Sequence, residues 1–191
     1  MKCANPVDAA VLADYWLAAL PQNDEEYVEE HLFACDECGE ILGQIIKLAE
    51  GVRRLAREGA LRMTVSESFL KQAAEDRLRI REYAPLKGES VSCTVTPDDD
   101  LLIGRLTADL RGAARVDLCI CDGQGVEQIR MQDVPKNETG ILYHESMLYA
   151  KAAPSSSMIA RLVAFDDSGT ERLVGEYTFN HTRSMPGPAA W

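Results

Sequence analysis

No run of apolar residues in the chain approaches the roughly 18 to 20 needed for a membrane-crossing helix, which argues against a helical span. The start, Met1-Lys2-Cys3-Ala4-Asn5-Pro6, lacks the charged-then-apolar pattern of a secretory signal. The expectation is a cytoplasmic protein with no membrane partner. Thiols stay reduced there, so the six cysteines point to metal binding or burial rather than a disulfide frame. Basic residues are also scarce. The 20 Lys and Arg face 31 Asp and Glu, a net charge of −11. Direct nucleic-acid binding depends on neutralising phosphates and is disfavoured. No Ser-His-Asp arrangement, phosphate loop or carboxylate pair can be singled out, so no enzyme activity is expected.

The acid that is present is unevenly placed. Residues 1–50 hold eleven acids and only two bases, Lys2 and Lys47. Residues 51–84 carry a net charge of +3 and residues 85–191 a net charge of −5. An acidic front end suits a basic protein partner. It would also keep a small domain soluble.

The densest chemistry lies at His31-Leu32-Phe33-Ala34-Cys35-Asp36-Glu37-Cys38, a His-x3-Cys-x2-Cys pattern. A Cys-x2-Cys turn presents two thiolates to one point, and a histidine on the last turn of a preceding helix reaches the same point. Thiolate with imidazole suits tetrahedral Zn2+. A structural site wants a fourth ligand, and Cys3 is the only upstream Cys or His. The expected metal ligands are therefore Cys3, His31, Cys35 and Cys38. Buried free cysteine is the bland alternative, but Asp36 and Glu37 make a polar setting. A thioredoxin-like redox pair would need a strand–helix context that is missing upstream.

The stretch Tyr27 to Cys38 resembles the zinc-binding anti-sigma domain. In that family a helix ends in His-x3-Cys-x2-Cys and a fourth ligand sits near the N-terminus, where this chain has Cys3. The resemblance covers residues 1 to about 84. It implies a zinc-stapled helical bundle that binds an extracytoplasmic-function (ECF) type sigma factor. Some members carry a C-terminal cupin domain with its own zinc, but the His-x-His that a cupin needs is missing here. No second metal is expected at His144, Glu145 or His181.

Read in order, helix one spans about Pro6 to Leu20, capped by Asn5, with Leu12, Trp16 and Leu20 as its apolar stripe. Helix two opens at Asn23, with Glu26 at capping-box spacing. Helix three runs from about Asp36 to Glu58, and Gly59 stops it. A fourth helix is expected from the Thr64–Glu67 capping box to about Tyr83, either as a docking arm or as a linker. After Pro85 the apolar period falls to two: Val91-Cys93-Val95, Leu102 to Ala108, Val116-Leu118-Ile120, and 126–131. A hairpin follows, with strands 158–165 and 171–179 around Asp166–Gly169. Cys93, Cys119 and Cys121 fall within these strands, as small buried side chains.

The expected fold class is α+β. An N-terminal zinc-stapled helical bundle (1–84) precedes an antiparallel β-sandwich sensor or accessory domain (86–183), and 184–191 form a flexible tail. The expected function is anti-sigma regulation of transcription. The alternative is a zinc-finger adaptor for some other protein, with the β domain as its binding module.

Overall fold

The computed structural model describes residues 3–183. The chain divides into two compact units, Met1–Arg57 and Glu58–Trp191. The tail 184–191 lies outside the described residues. No described helix is long and apolar enough to cross a membrane.

The first unit holds α1 (Ala9–Trp16), α2 (Gln22–Ala34) and α3 (Asp36–Arg57). Asp8, not Asn5, caps α1, its carboxylate accepting from the Ala10 N–H at 2.7 Å. The helix closes at Ala18, whose φ of 52° turns the chain before Pro21. Pro21 precedes α2 without a side-chain cap, so the Asn23–Glu26 box does not form. Asp24 and Glu25 favour that end through the helix dipole instead. Leu12, Val28 and Cys38 are wholly buried and Val7 nearly so. Leu20, Leu32, Ile41, Leu42 and Ile45 close around them. Such a core is small for independent stability. Trp16 is half-buried rather than central, with the Arg53 guanidinium 4.4 Å from its ring centre.

The second unit runs β1 (Met63–Val65), α4 (Glu67–Glu75), β2 (Ile80–Tyr83), β3 (Ser90–Cys93), β4 (Leu101–Thr107), β5 (Arg115–Asp122), β6 (Glu127–Met131), β7 (Gly140–Glu145), α5 (Met147–Ala152), β8 (Ser156–Phe165) and β9 (Glu171–His181). One sheet has the order β1-β7-β4-β2 and the other β3-β9-β8-β5-β6. Leu106, Ile141 and Tyr143 of the first meet Leu118, Leu162, Tyr177 and Phe179 of the second in a shared core. The expected antiparallel sandwich is therefore a mixed one. β2 pairs with β4 and β3 with β9 in parallel, while the other pairings are antiparallel. Gly140 begins β7 at φ 143°, where a Cβ would stand 2.1 Å from the Leu106 carbonyl oxygen.

Two expectations are corrected here. The single helix from Thr64 to Tyr83 is instead strand, helix and strand. Ser66 rather than Thr64 caps α4, accepting from the Phe69 N–H at 3.1 Å. Arg77, at φ 61°, ends the helical stretch. Sheet pairing overrides the local helical pattern, with β1 on β7 and β2 on β4. The boundary moves with it. Residues 63–83 belong to the β unit, so the chain divides after Arg57 and not near residue 84.

Candidate metal centre

Three local structures converge on one point. His31 lies in the last turn of α2. Cys35 is the joint between α2 and α3, its carbonyl accepting from the Gly39 N–H at 3.1 Å. Cys38 follows in the first turn of α3 and is wholly buried. Cys3 comes from the segment ahead of α1, pinned to α3 by its own backbone N–H, which donates to Glu37 Oε2 at 2.6 Å.

The ligand atoms of Cys3, His31, Cys35 and Cys38 all lie within 4.8 Å of one another. His31 Nε2 is 3.5 Å from Cys3 Sγ and 3.2 Å from Cys38 Sγ. Bond lengths of about 2.3 Å to sulfur and 2.0 Å to nitrogen give tetrahedral nitrogen–sulfur edges of about 3.5 Å. The donor set fits zinc in chemistry and in spacing, and all four residues expected from the sequence are brought together.

The thiols differ electrostatically. The Cys38 backbone N–H, pointing at the Cys35 sulfur, holds the Cys35 pKa below the usual thiol value, with help from the Cys3 thiol. At Cys3 the Asn5 N–H acts in the same direction. Desolvation and the thiols of Cys35 and Cys38 outweigh it, and the Cys3 pKa is raised. Cys35 is thus the readier thiolate. Three thiolates and a neutral imidazole would hold Zn2+ in a closed structural site.

In the β unit, Cys119 and Cys121 lie on the face of β5 opposite the core residues Val116, Leu118 and Ile120. Both are about 1% exposed. Arg161 Nη1 donates to Cys121 Sγ at 3.6 Å. Burial, with a Glu127 hydrogen bond, pushes Cys119 up to about 12. Burial likewise raises Cys93 and Cys121. These thiols stay protonated and inert near neutrality. His144 is buried on β7, and burial holds its pKa below the ordinary value. Glu145 accepts from Arg62 and from Tyr143 Oη. This trio, with Tyr143 and Glu145 buried and Arg62 partly so, was not anticipated from sequence. Arg62 and Glu145 lie 83 residues apart, and no motif links them.

No family model and no curated protein matches the sequence. Distant likenesses exist among solved structures. CopC from Methylosinus trichosporium OB3b is 13% identical, covering 66% of this chain and 98% of its own, at a TM-score of 0.31. The fibronectin(III)-like modules of Clostridium thermocellum CbhA are 14% identical, covering 54% and 100%, at 0.31. Extracellular domains 3–5 of Drosophila OTK are 12% identical, covering 57% and 36%, at 0.28. Likenesses this distant carry no argument about function.

Proposed function

We propose that the protein is an anti-sigma factor. Its zinc-stapled helical unit would bind an ECF-type sigma factor and withhold it from RNA polymerase, with the β unit as a sensor or accessory domain. The observation that carries this reading is the unpartnered apolar row on α3. Leu48, Val52 and Leu55 are 70%, 48% and 41% exposed, although the same helix buries its first half in the bundle. The row itself is flanked by Lys47, Arg53, Arg54 and Arg57, whereas the acidic excess lies in the rest of the helical unit, with eleven acids against two bases in residues 1–50, and supports a basic partner there. Apolar side chains would supply the contact and the acidic field its steering. Zinc is structural in this scheme: it closes a bundle with four buried apolar residues at its centre. Inhibition is steric.

The test is titration calorimetry of the full chain, purified reduced with zinc, against purified ECF sigma factors of the same cell. Transcription driven by each sigma factor is measured in parallel. Binding to one sigma factor with loss of its transcription is expected. Binding should weaken in the triple variant Leu48→Glu, Val52→Glu, Leu55→Glu. If none binds and the same row captures a protein of another class, the adaptor function replaces this one.

A further inference from the structure

The β unit contains a cavity of about 250 Å³. It lies between the two sheets and against α5. Leu102, Ile120, Ile129, Met158 and Phe179 make apolar walls. A Cβ on Gly104 would approach the Phe179 ring to 3.2 Å, so the sheets close tightly at that point. Tyr149, 55% exposed, and the exposed Gln128 stand among the lining residues, so the cavity reaches solvent.

One part of the wall is polar and built. The Glu145 side chain is 8% exposed. Its Oε1 accepts from Arg62 Nε and from the Ser146 N–H, and its Oε2 accepts from Tyr143 Oη at 2.7 Å. Three donors therefore fill this carboxylate, and Arg62 balances its charge. The guanidinium lies over the Tyr149 ring, 4.2 Å from its centre. Among the described residues, nothing accepts from its two Nη groups. A guanidinium carries only donors. What the cavity still offers is a planar, charged pair of donors beside apolar walls. An amine would find the carboxylate already occupied, whereas an acceptor oxygen would find two charge-assisted bonds.

We propose that this cavity binds a small monocarboxylate, its oxygens on the Arg62 Nη groups and its apolar body between Ile120, Ile129, Met158 and Phe179. A dry cavity of about 150 Å³ takes benzene, so this one takes a body of roughly ten heavy atoms. The assignment is independent of what the helical unit binds.

The test is methyl-detected NMR of the full chain labelled at Met and Ile. The probes are benzoate and hexanoate, with benzyl alcohol and hexylamine as controls. The Met158, Ile120 and Ile129 signals should move with the acids, at affinities about ten-fold above the controls. Arg62→Lys keeps a cation beside Glu145 but removes the planar fork. It should weaken acid binding about ten-fold and leave benzyl alcohol unchanged. Ile129→Phe fills the cavity without touching the polar wall and should abolish binding of every probe. Equal binding of benzoate and benzyl alcohol would overturn the assignment. So would equal acid binding by wild type and Arg62→Lys, or cavity methyls unmoved by both acids at about 10 mM, a concentration well above useful affinities.

Discussion

At the scale of single residues the four candidate ligands are not equivalent. Cys35 and Cys38 sit on backbone that α2 and α3 already hold in place, whereas Cys3 depends on one backbone bond to Glu37. Cys35→Ser and Cys38→Ser should each abolish zinc content and reduce the far-ultraviolet helical signal, as measured by metal analysis and circular dichroism. Glu37→Gln weakens only the tether, and chelator competition should show zinc held about 10- to 100-fold less tightly. Full occupancy in both cysteine variants would remove the site. His144 carries a separate, pH-dependent expectation. Burial places its folded pKa below 6.5, so the unfolded chain takes up its proton first as pH falls. The stability present above pH 6.5 is therefore lost as pH drops toward the depressed folded value. His181, lowered by burial as well, acts in the same direction. Urea midpoints followed through β5 and β8 amide signals should decline over that window. His144→Gln should flatten the decline.

At the scale of elements, α3 is the informative case. Its 22 residues hold the helical period throughout, yet the packing changes midway. Ile41, Leu42 and Ile45 close on the bundle, while Leu48, Val52 and Leu55 do not. Glutamate at those three positions should change the stability of the isolated chain by no more than about 0.5 kcal/mol per site, since they touch no core. Partner affinity, by contrast, should fall at least ten-fold. Comparable loss of both would mean the row stabilises the fold. The helix limits were legible because propensity, period and the Cys35 joint agree. The stretch 63–83 was not. Its apolar face was thin, and its conformation is set by β7 and β4, which lie far along the chain. β7 itself went unread because all six of its residues are buried, which erases the alternation that marks a half-buried strand.

At the scale of the whole molecule, the position of the division has consequences. Cutting at residue 86 would strip β1 and β2 from the first sheet and expose both edges, β7 and β4. It would also remove Leu70, Val65 and Ile80 from over Ile103 and Leu142. Glu145 would lose Arg62 and become a buried charge without its cation. Residues 86–191 should therefore be unfolded or aggregated, whereas 58–191 should show a cooperative thermal transition and dispersed amide signals. On the proposed function, residues 1–57 with zinc should bind the sigma factor by themselves and lose that binding on chelation. A well-folded 86–191 fragment would contradict this account of the first sheet.

The sequence by itself determined the local features. His31, Cys35 and Cys38 are tied by helical and turn spacing within eight residues, and the fall of the apolar period to two after Pro85 marks strands from β3 onward. The hairpin of β8 and β9 around Asp166–Gly169 belongs with them, because its turn carries its own signal. Only the tertiary structure decided the mixed strand order, the assignment of 63–83 to the β unit, the tether from Cys3 to Glu37, and the polar wall of Arg62, Tyr143 and Glu145. Each of these joins residues far apart in the chain. Such contacts form where burial and hydrogen-bond satisfaction across the fold outweigh local preference, and no short window of sequence records that balance.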